Sequence, residues 1–318
     1  MLDQDVFPRY PFSWQARALN GVLWGAVKPL GHLLLRHPLA LSACSVLGQV
    51  ALPLPRHVTV IPHELARCGG EWVRAGGGLD ERKVLLYFHG GGYFSCSPAT
   101  HRAITWRLSV VARRPVLALD YRQGPVHPLS ASLEDALDAY DCLLGRGHEP
   151  RDILLAGDSA GGHLTLATLL ALRDRDRPMP AAAICLSPWA DLTDFPRRAN
   201  RWQDPMLSAS RVRWLARRWT AGLDPHDPLV SPVLGDYTGL PPLMIMTGST
   251  EVLREEARRV TVQARRAGVP VRYEEWPNMP HAFPILADVL PEARLAYRHM
   301  AEFLADLPRA GAAGSAAA

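Results

Sequence analysis

Short, continuously apolar runs, each followed by a stretch of helical periodicity, recur along this chain and restrict its fold more than any other feature. A strand covered on both faces has no reason to alternate apolar with polar residues. Val84-Leu85-Leu86-Tyr87-Phe88 and similar runs at 153–156, 182–186 and 243–247 therefore require a sheet with helices on each side. Strands are predicted at 58–61, 71–75, 84–88, 116–121, 153–156, 182–186, 243–247 and 271–276, and helices at 99–113, 132–144, 160–173, 252–267 and 291–307. This order is the signature of an α/β fold with a mostly parallel, eight-stranded sheet flanked by helices. The 318 residues fit one catalytic domain, at 56–310, with a helical cap built from two pieces. One piece is the apolar N-terminal region 1–55; the other is an insertion at about 190–240, too long for a simple connection, with its own helix at 208–221. The Gly, Ala and Ser of 311–318 cannot build a core and are expected to form a disordered tail.

Two motifs lie just past strand ends, on the face where such sheets bind ligands. Gly157-Asp158-Ser159-Ala160-Gly161 joins the strand at 153–156 to the helix at 160–173. Its glycines allow a tight turn that lifts the Ser159 hydroxyl above the sheet at the helix start, the setting of an activated nucleophile. The bland alternative is an ordinary N-terminal helix serine. His89-Gly90-Gly91-Gly92 follows the strand at 84–88 and offers backbone N–H groups that no β-carbon screens, as a tetrahedral oxyanion requires. Gly90, Gly91 and the N–H of Ala160 are the predicted donors, with His89 and Gly92 supporting the loop.

A serine hydroxyl needs a base, and the base needs an orienting carboxylate. In α/β-hydrolases, whose serine elbow the 157–161 segment resembles, they follow the serine in the order acid, then histidine. Of twelve histidines, His281 alone has this order and a post-strand loop, Asn278-Met279-Pro280-His281-Ala282-Phe283. After the strand at 243–247, Glu251 comes first and Glu255 one helical turn later, so Glu251 is the preferred acid and Glu255 the alternative. His163 sits one turn into the helix after Ser159 and reads as a packing residue. His101, His127 and His148 have no supporting constellation.

Composition narrows the function classes. The formal charge of +4 is small and the arginines are dispersed, so no nucleic-acid role is indicated. The densest cluster, Arg211, Arg213, Arg217 and Arg218 around Trp214 and Trp219, reads as a solvated helix face with an apolar stripe. Five cysteines lie far apart without a C-x-x-C pair, which indicates neither a zinc site nor a disulfide framework. Free thiols and the lack of a secretory pattern at the N-terminus point to the cytoplasm. The apolar stretch 19–35 is broken by Lys28, Pro29 and His32, and 38–55 by Ser42, Ser45, Gln49 and prolines, so neither reads as a membrane span. Peripheral lipid contact through the N-terminal cap stays open.

These segments together resemble the hormone-sensitive-lipase-like branch of the α/β-hydrolases. The resemblance runs from about 83 to 283 through Tyr87-Phe88-His89-Gly90-Gly91-Gly92-Tyr93, Asp120-Tyr121-Arg122, the elbow 157–162, Ser187-Pro188-Trp189-Ala190-Asp191-Leu192-Thr193, Asp227-Pro228-Leu229-Val230-Ser231-Pro232, Leu240-Pro241-Pro242 and Pro280-His281-Ala282-Phe283. It implies the α/β-hydrolase fold and cofactor-free hydrolysis of small-molecule carboxylic esters with short- to medium-chain acyl groups. It carries the family's nucleophile onto Ser159, its base onto His281, its acid onto Glu251 and its oxyanion loop onto Gly90 and Gly91 with Ala160. No metal is implied. Pairing into a homodimer is a further expectation.

The chain departs from the family pattern at two places. The acid position usually holds Asp, and Glu251 is one methylene longer. Where the family usually reads Leu-Ala-Pro-Glu-His-Pro this chain has Gln123-Gly124-Pro125-Val126-His127-Pro128, so Val126 replaces a family carboxylate. The same triad would also suit an amide, lactone or carbamate. A non-catalytic small-molecule receptor on this scaffold is the reading from another class, and the retained His281 argues against it.

Overall fold

The computed structural model describes residues 12–29, 53–193, 195 and 204–307. The tail expected at 311–318, much of the expected N-terminal cap and part of the expected insertion fall outside these residues. Eight strands form one sheet: β1 (Val58–Glu64), β2 (Gly69–Ala75), β3 (Val84–Phe88), β4 (Val116–Asp120), β5 (Ile153–Asp158), β6 (Ala182–Leu186), β7 (Leu243–Gly248) and β8 (Val271–Trp276). Their spatial order is β1-β2-β4-β3-β5-β6-β7-β8. The pairings β1 with β2 and β2 with β4 are antiparallel, and the other five are parallel. The α/β class and the mostly parallel sheet are as the apolar runs predict.

Why those runs are apolar throughout is visible along β3. Val84, Leu86 and Phe88 enter the core on one face of the sheet, while Leu85 and Tyr87 enter the core on the other. Helices α3 (Leu129–Gly145), α4 (Ala160–Asp174) and α6 (Arg254–Arg266) bury Ala136, Leu170 and Val260 on the first face. Helices α2 (Arg102–Ala112) and α7 (Pro291–Ala305) bury Leu108 and Met300 on the second. Full burial of each such leucine or methionine stabilises the fold by roughly 1.5–3 kcal/mol, which fixes the strand register from both sides.

Two shorter helices flank the opening of the site. Helix α1 (Trp14–Val22), continued by a π-helical turn over Leu23–Val27, is capped by Ser13, whose Oγ accepts the Ala16 N–H. Ser13 also donates its N–H and its hydroxyl to Glu292 in the first turn of α7, at 2.8 and 3.0 Å. That contact fastens the N-terminal segment to the body. Helix α5 (Ala209–Trp219) lies in the connection between β6 and β7.

After β3 the chain adds β4 on one side and β5 on the other. The strand order reverses there, so the helices leave a crevice beyond the carboxyl ends of β3 and β5. The predicted site residues sit at that crevice.

Candidate active site

Ser159 occupies the turn between β5 and α4 with φ 54° and ψ −117°, a conformation costly for any residue with a β-carbon. Neighbouring bonds hold it there. Its N–H donates to the Leu186 carbonyl at 2.8 Å, and its carbonyl accepts from His163 at 3.0 Å and from Trp189 at 3.1 Å. The turn closes only because Gly161 packs on the Phe88 carbonyl, where a β-carbon would collide.

His281 lies in the loop after β8 and brings Nε2 to 2.9 Å from Ser159 Oγ. Its Nδ1 stands 2.8 Å from Glu251 Oε2. A carboxylate only accepts, so Nδ1 carries the proton and Nε2 turns its lone pair to the serine. Burial alone would lower the His281 pKa, but the hydrogen bond and charge of Glu251, with the charges of Asp204 and Asp158, outweigh it and raise the value. Glu251 is fully buried, and its second oxygen accepts from Ser187 Oγ at 2.6 Å and from the Gly248 N–H at 2.5 Å. The structure therefore brings Ser159, His281 and Glu251 into one relay. Glu255 is not part of it: the side chain is 42% exposed in the first turn of α6 and pairs with Arg258 at 3.7 Å.

The glycine loop departs from expectation in one respect. The Gly90 N–H donates to Asp158 Oδ1 at 3.0 Å and so is not available to an oxyanion. Among the described residues the N–H groups of Gly91 and Gly92 have no acceptor, and both residues line the cavity with Ser159. The Ala160 N–H is the first of α4, where no intrahelical acceptor exists. Gly91 is strained for any other residue, with φ 111°. Gly91, Gly92 and Ala160 thus present N–H groups without a described acceptor beside Ser159, and the Gly90 N–H holds the loop to Asp158.

That hold is a buried network. Tyr87 Oη donates to Asp158 Oδ1 at 2.5 Å, and His101 Nε2 lies 3.4 Å from the same oxygen. Burial would push the Asp158 carboxyl up, but His101 and the Tyr87 hydroxyl prevail and keep it below the ordinary carboxylate range. His89 supports the loop from behind. Its ring stacks on Tyr121 at 4.4 Å, Nδ1 donates to the Gly90 carbonyl at 2.7 Å, and burial with the neighbouring His101 brings its pKa down to about 3.

The sequence motifs alone do not single out three of the residues that shape the site. Ser187 joins the acid and histidine loops; the sequence shows it only as the first residue of the 187–193 motif, directly after a predicted strand, with no role attached. Asp158 appears in the sequence only as a member of the 157–161 elbow, with no role of its own. Helix 209–219, expected to be a solvated face with an apolar stripe, exposes Arg217 and Arg218 and half-buries Trp219, which donates Nε1–H to the Gly92 carbonyl at 2.8 Å, a contact the stripe does not announce. His163 is buried between Tyr93 and the Val230 carbonyl, as a packing residue would be.

Above the relay lies a cavity of about 460 Å³, walled by Phe94, Trp189, Leu207, Val212, Leu215 and Ile285 among others. Its walls are mostly apolar, with Lys28 and Arg211 among the polar residues that also line it. Among the described residues no cluster of His, Cys, Asp and Glu could hold a metal ion, and no helix is long and apolar enough to cross a membrane.

A family model for the α/β-hydrolase fold matches residues 85–285. The chain belongs to this family. An acetyl-hydrolase of Streptomyces hygroscopicus is 44% identical to this hydrolase over 259 residues, which span 81% of it and 84% of that relative. The crystal structure of the esterase EstE5, soaked with ethyl alcohol, superposes with a TM-score of 0.87 at 34% identity, covering 93% of the hydrolase and 99% of that chain. An esterase from the bacterial hormone-sensitive lipase family superposes with a TM-score of 0.81 at 34% identity, covering 94% and 99%. The hydrolase falls in the hormone-sensitive-lipase-like branch, as its motifs imply.

Proposed function

We propose that this hydrolase cleaves carboxylic esters of short- to medium-chain acids by a two-step acyl transfer through Ser159. It is an enzyme of the carboxylesterase and lipase-like class, and its relatives include an acetyl-hydrolase and esterases. The observation that carries the mechanism is the relay Ser159–His281–Glu251, with links of 2.9 and 2.8 Å, at the floor of an apolar cavity.

In this reading neutral His281 takes the Ser159 proton as Oγ attacks the ester carbonyl. Glu251 holds the imidazole in the competent tautomer and stabilises the imidazolium that forms. The tetrahedral oxyanion rests on the N–H groups of Gly91, Gly92 and Ala160. His281 returns the proton to the leaving alcohol, and water then releases the acid by the same route. The apolar walls receive the acyl and alcohol parts of the substrate.

Fluorophosphonate labelling with mass spectrometry of the adduct, alongside hydrolysis of nitrophenyl esters of increasing chain length, tests this reading. Adduct on Ser159, turnover that falls with long acyl chains, and a loss of about 10⁴-fold in Ser159→Ala are the expected results. Near-normal turnover by Ser159→Ala would sink it.

A further inference from the structure

Asp204, in the connection between β6 and β7, is fully buried, yet it is absent from the relay. Its Oδ2 accepts the N–H of Val252, the residue after Glu251, at 2.9 Å. Its Oδ1 accepts the N–H groups of Met206 and Leu207, both at 2.8 Å, and these two residues line the cavity. Its backbone carbonyl accepts Lys28 Nζ at 2.6 Å, which brings in the N-terminal segment. One residue thus touches the acid turn, the cavity wall and the segment that continues α1. All three side-chain partners are donors, so a protonated carboxyl would aim its O–H where no acceptor waits. Burial raises the Asp204 carboxyl above its ordinary value, against the opposing bonds from Leu207 and Val252, the His281 charge and the bond from Met206.

We propose that Asp204 is a positioning residue that couples the seating of the cap to the catalytic relay. It fixes the turn bearing Glu251 in register with the cavity wall and with Lys28, so a loosened cap misplaces the acid. The proposal rests on the ester-hydrolase reading of Ser159, His281 and Glu251. An electrostatic consequence follows. His281 faces Glu251 from the turn after β7, Asp158 from the end of β5 and Asp204 from the connection between β6 and β7. The same cavity is lined by Lys28, Arg211 and His101. Removing the Asp204 charge withdraws support from the imidazolium, and His281 then deprotonates at lower pH.

The test compares full-length wild type, Asp204→Asn and Lys28→Met. Two readouts are used: fluorophosphonate labelling rate of Ser159 over roughly pH 5 to 9, and kcat and KM on nitrophenyl butyrate normalised to labelled sites. Asp204→Asn is expected to lower kcat about tenfold with KM nearly unchanged, and to move the acid limb of the labelling profile down by roughly 0.5 pH unit. Lys28→Met removes one tie only and is expected to lower kcat about threefold without moving that limb. A merely structural Asp204 would shrink the labelled fraction and leave the limb and the normalised kcat at wild-type values, which overturns the inference. Where Asp204→Asn yields no folded protein, a wild-type kcat in Lys28→Met overturns it. Absence of labelling in wild type would remove the underlying reading of the site, and the inference with it.

Discussion

Ser187 donates its hydroxyl to Glu251 Oε1 at 2.6 Å, and its own Oγ accepts the Ala282 N–H at 3.0 Å. One side chain after β6 therefore ties the acid turn after β7 to the histidine loop after β8. Ser187 is held at φ 49°, a left-handed conformation that costs about 1–3 kcal/mol and persists where the surroundings over-determine it. The Ser187 N–H donates to the Met246 carbonyl at 2.7 Å, which is part of that constraint. Ser187→Ala removes both side-chain bonds and leaves the Ala282 N–H unpaired in a buried place. Loss of aim between His281 and Glu251 is expected to lower kcat about tenfold or more while KM changes little. Steady-state hydrolysis of a nitrophenyl ester checks it, and a wild-type kcat would mean that the acid keeps its aim without Ser187.

The two candidate acids separate by the same kind of measurement. Glu251→Gln puts an amide beside His281 Nδ1, where its N–H can favour the wrong tautomer, so kcat is expected to fall by about 10³- to 10⁴-fold. Glu255→Gln alters an exposed side chain whose described ion pair is a 3.7 Å contact with Arg258, so kcat is expected to stay within about twofold. Equal losses in the two variants would contradict the geometry.

Buried histidines set a pH window for stability. Burial brings His163 from its ordinary 6.5 down to about 4, against a bond to the Val230 carbonyl that pulls the other way. The folded state holds this imidazole neutral, while the unfolded chain takes up a proton near pH 6.5. The contribution is full above that pH and is lost as pH falls towards 4, on the order of 3 kcal/mol for His163. His89, brought down to about 3, acts in the same direction over a range that extends down to about 3. His281 has the opposite sign, because its raised value adds stability below about 6.5 that fades as pH rises through the folded value. The His281 contribution is already complete below about 6.5, so the two depressed histidines act unopposed by it between about pH 6.5 and 4. Urea unfolding midpoints are therefore expected to fall steadily between about pH 6.5 and 4, and a flat midpoint across that window would refute this account.

The strands and Ser159 are legible in the sequence because their signals are local. An apolar run, a glycine elbow and a strand-then-helix order each lie within a few residues. The choice between Glu251 and Glu255 turns on where the helix begins. The pattern suggests a start at 252, but α6 starts at Arg254, since the Val252 N–H is bound by Asp204 and residues 251–253 form a turn. The fate of the Gly90 N–H is not legible for a similar reason. It depends on a carboxylate from β5, 68 residues away, that packing sets beside the loop. Ser187, Asp204 and Trp219 act through tertiary contacts of this kind, and hydrophobic periodicity carries no signal for them.

Trp219 offers the sharpest test of whether helix α5 takes part in the chemistry. Its ring packs against Gly124, where a β-carbon would collide with it, and lies 6.5 Å from Phe94 between centroids. Its Nε1–H reaches across to the Gly92 carbonyl at 2.8 Å. The loop it steadies carries two of the proposed oxyanion donors, whose hydrogen bonds tighten as negative charge develops on the substrate oxygen. Trp219→Phe preserves most of the packing and deletes the donor, leaving the carbonyl unpaired and the loop less constrained. A loss felt only as charge develops lowers kcat and kcat/KM together, so both are expected to fall about tenfold while KM stays within about twofold. A rise in KM at constant kcat would instead assign Trp219 to ground-state binding of the substrate and would separate α5 from the oxyanion site.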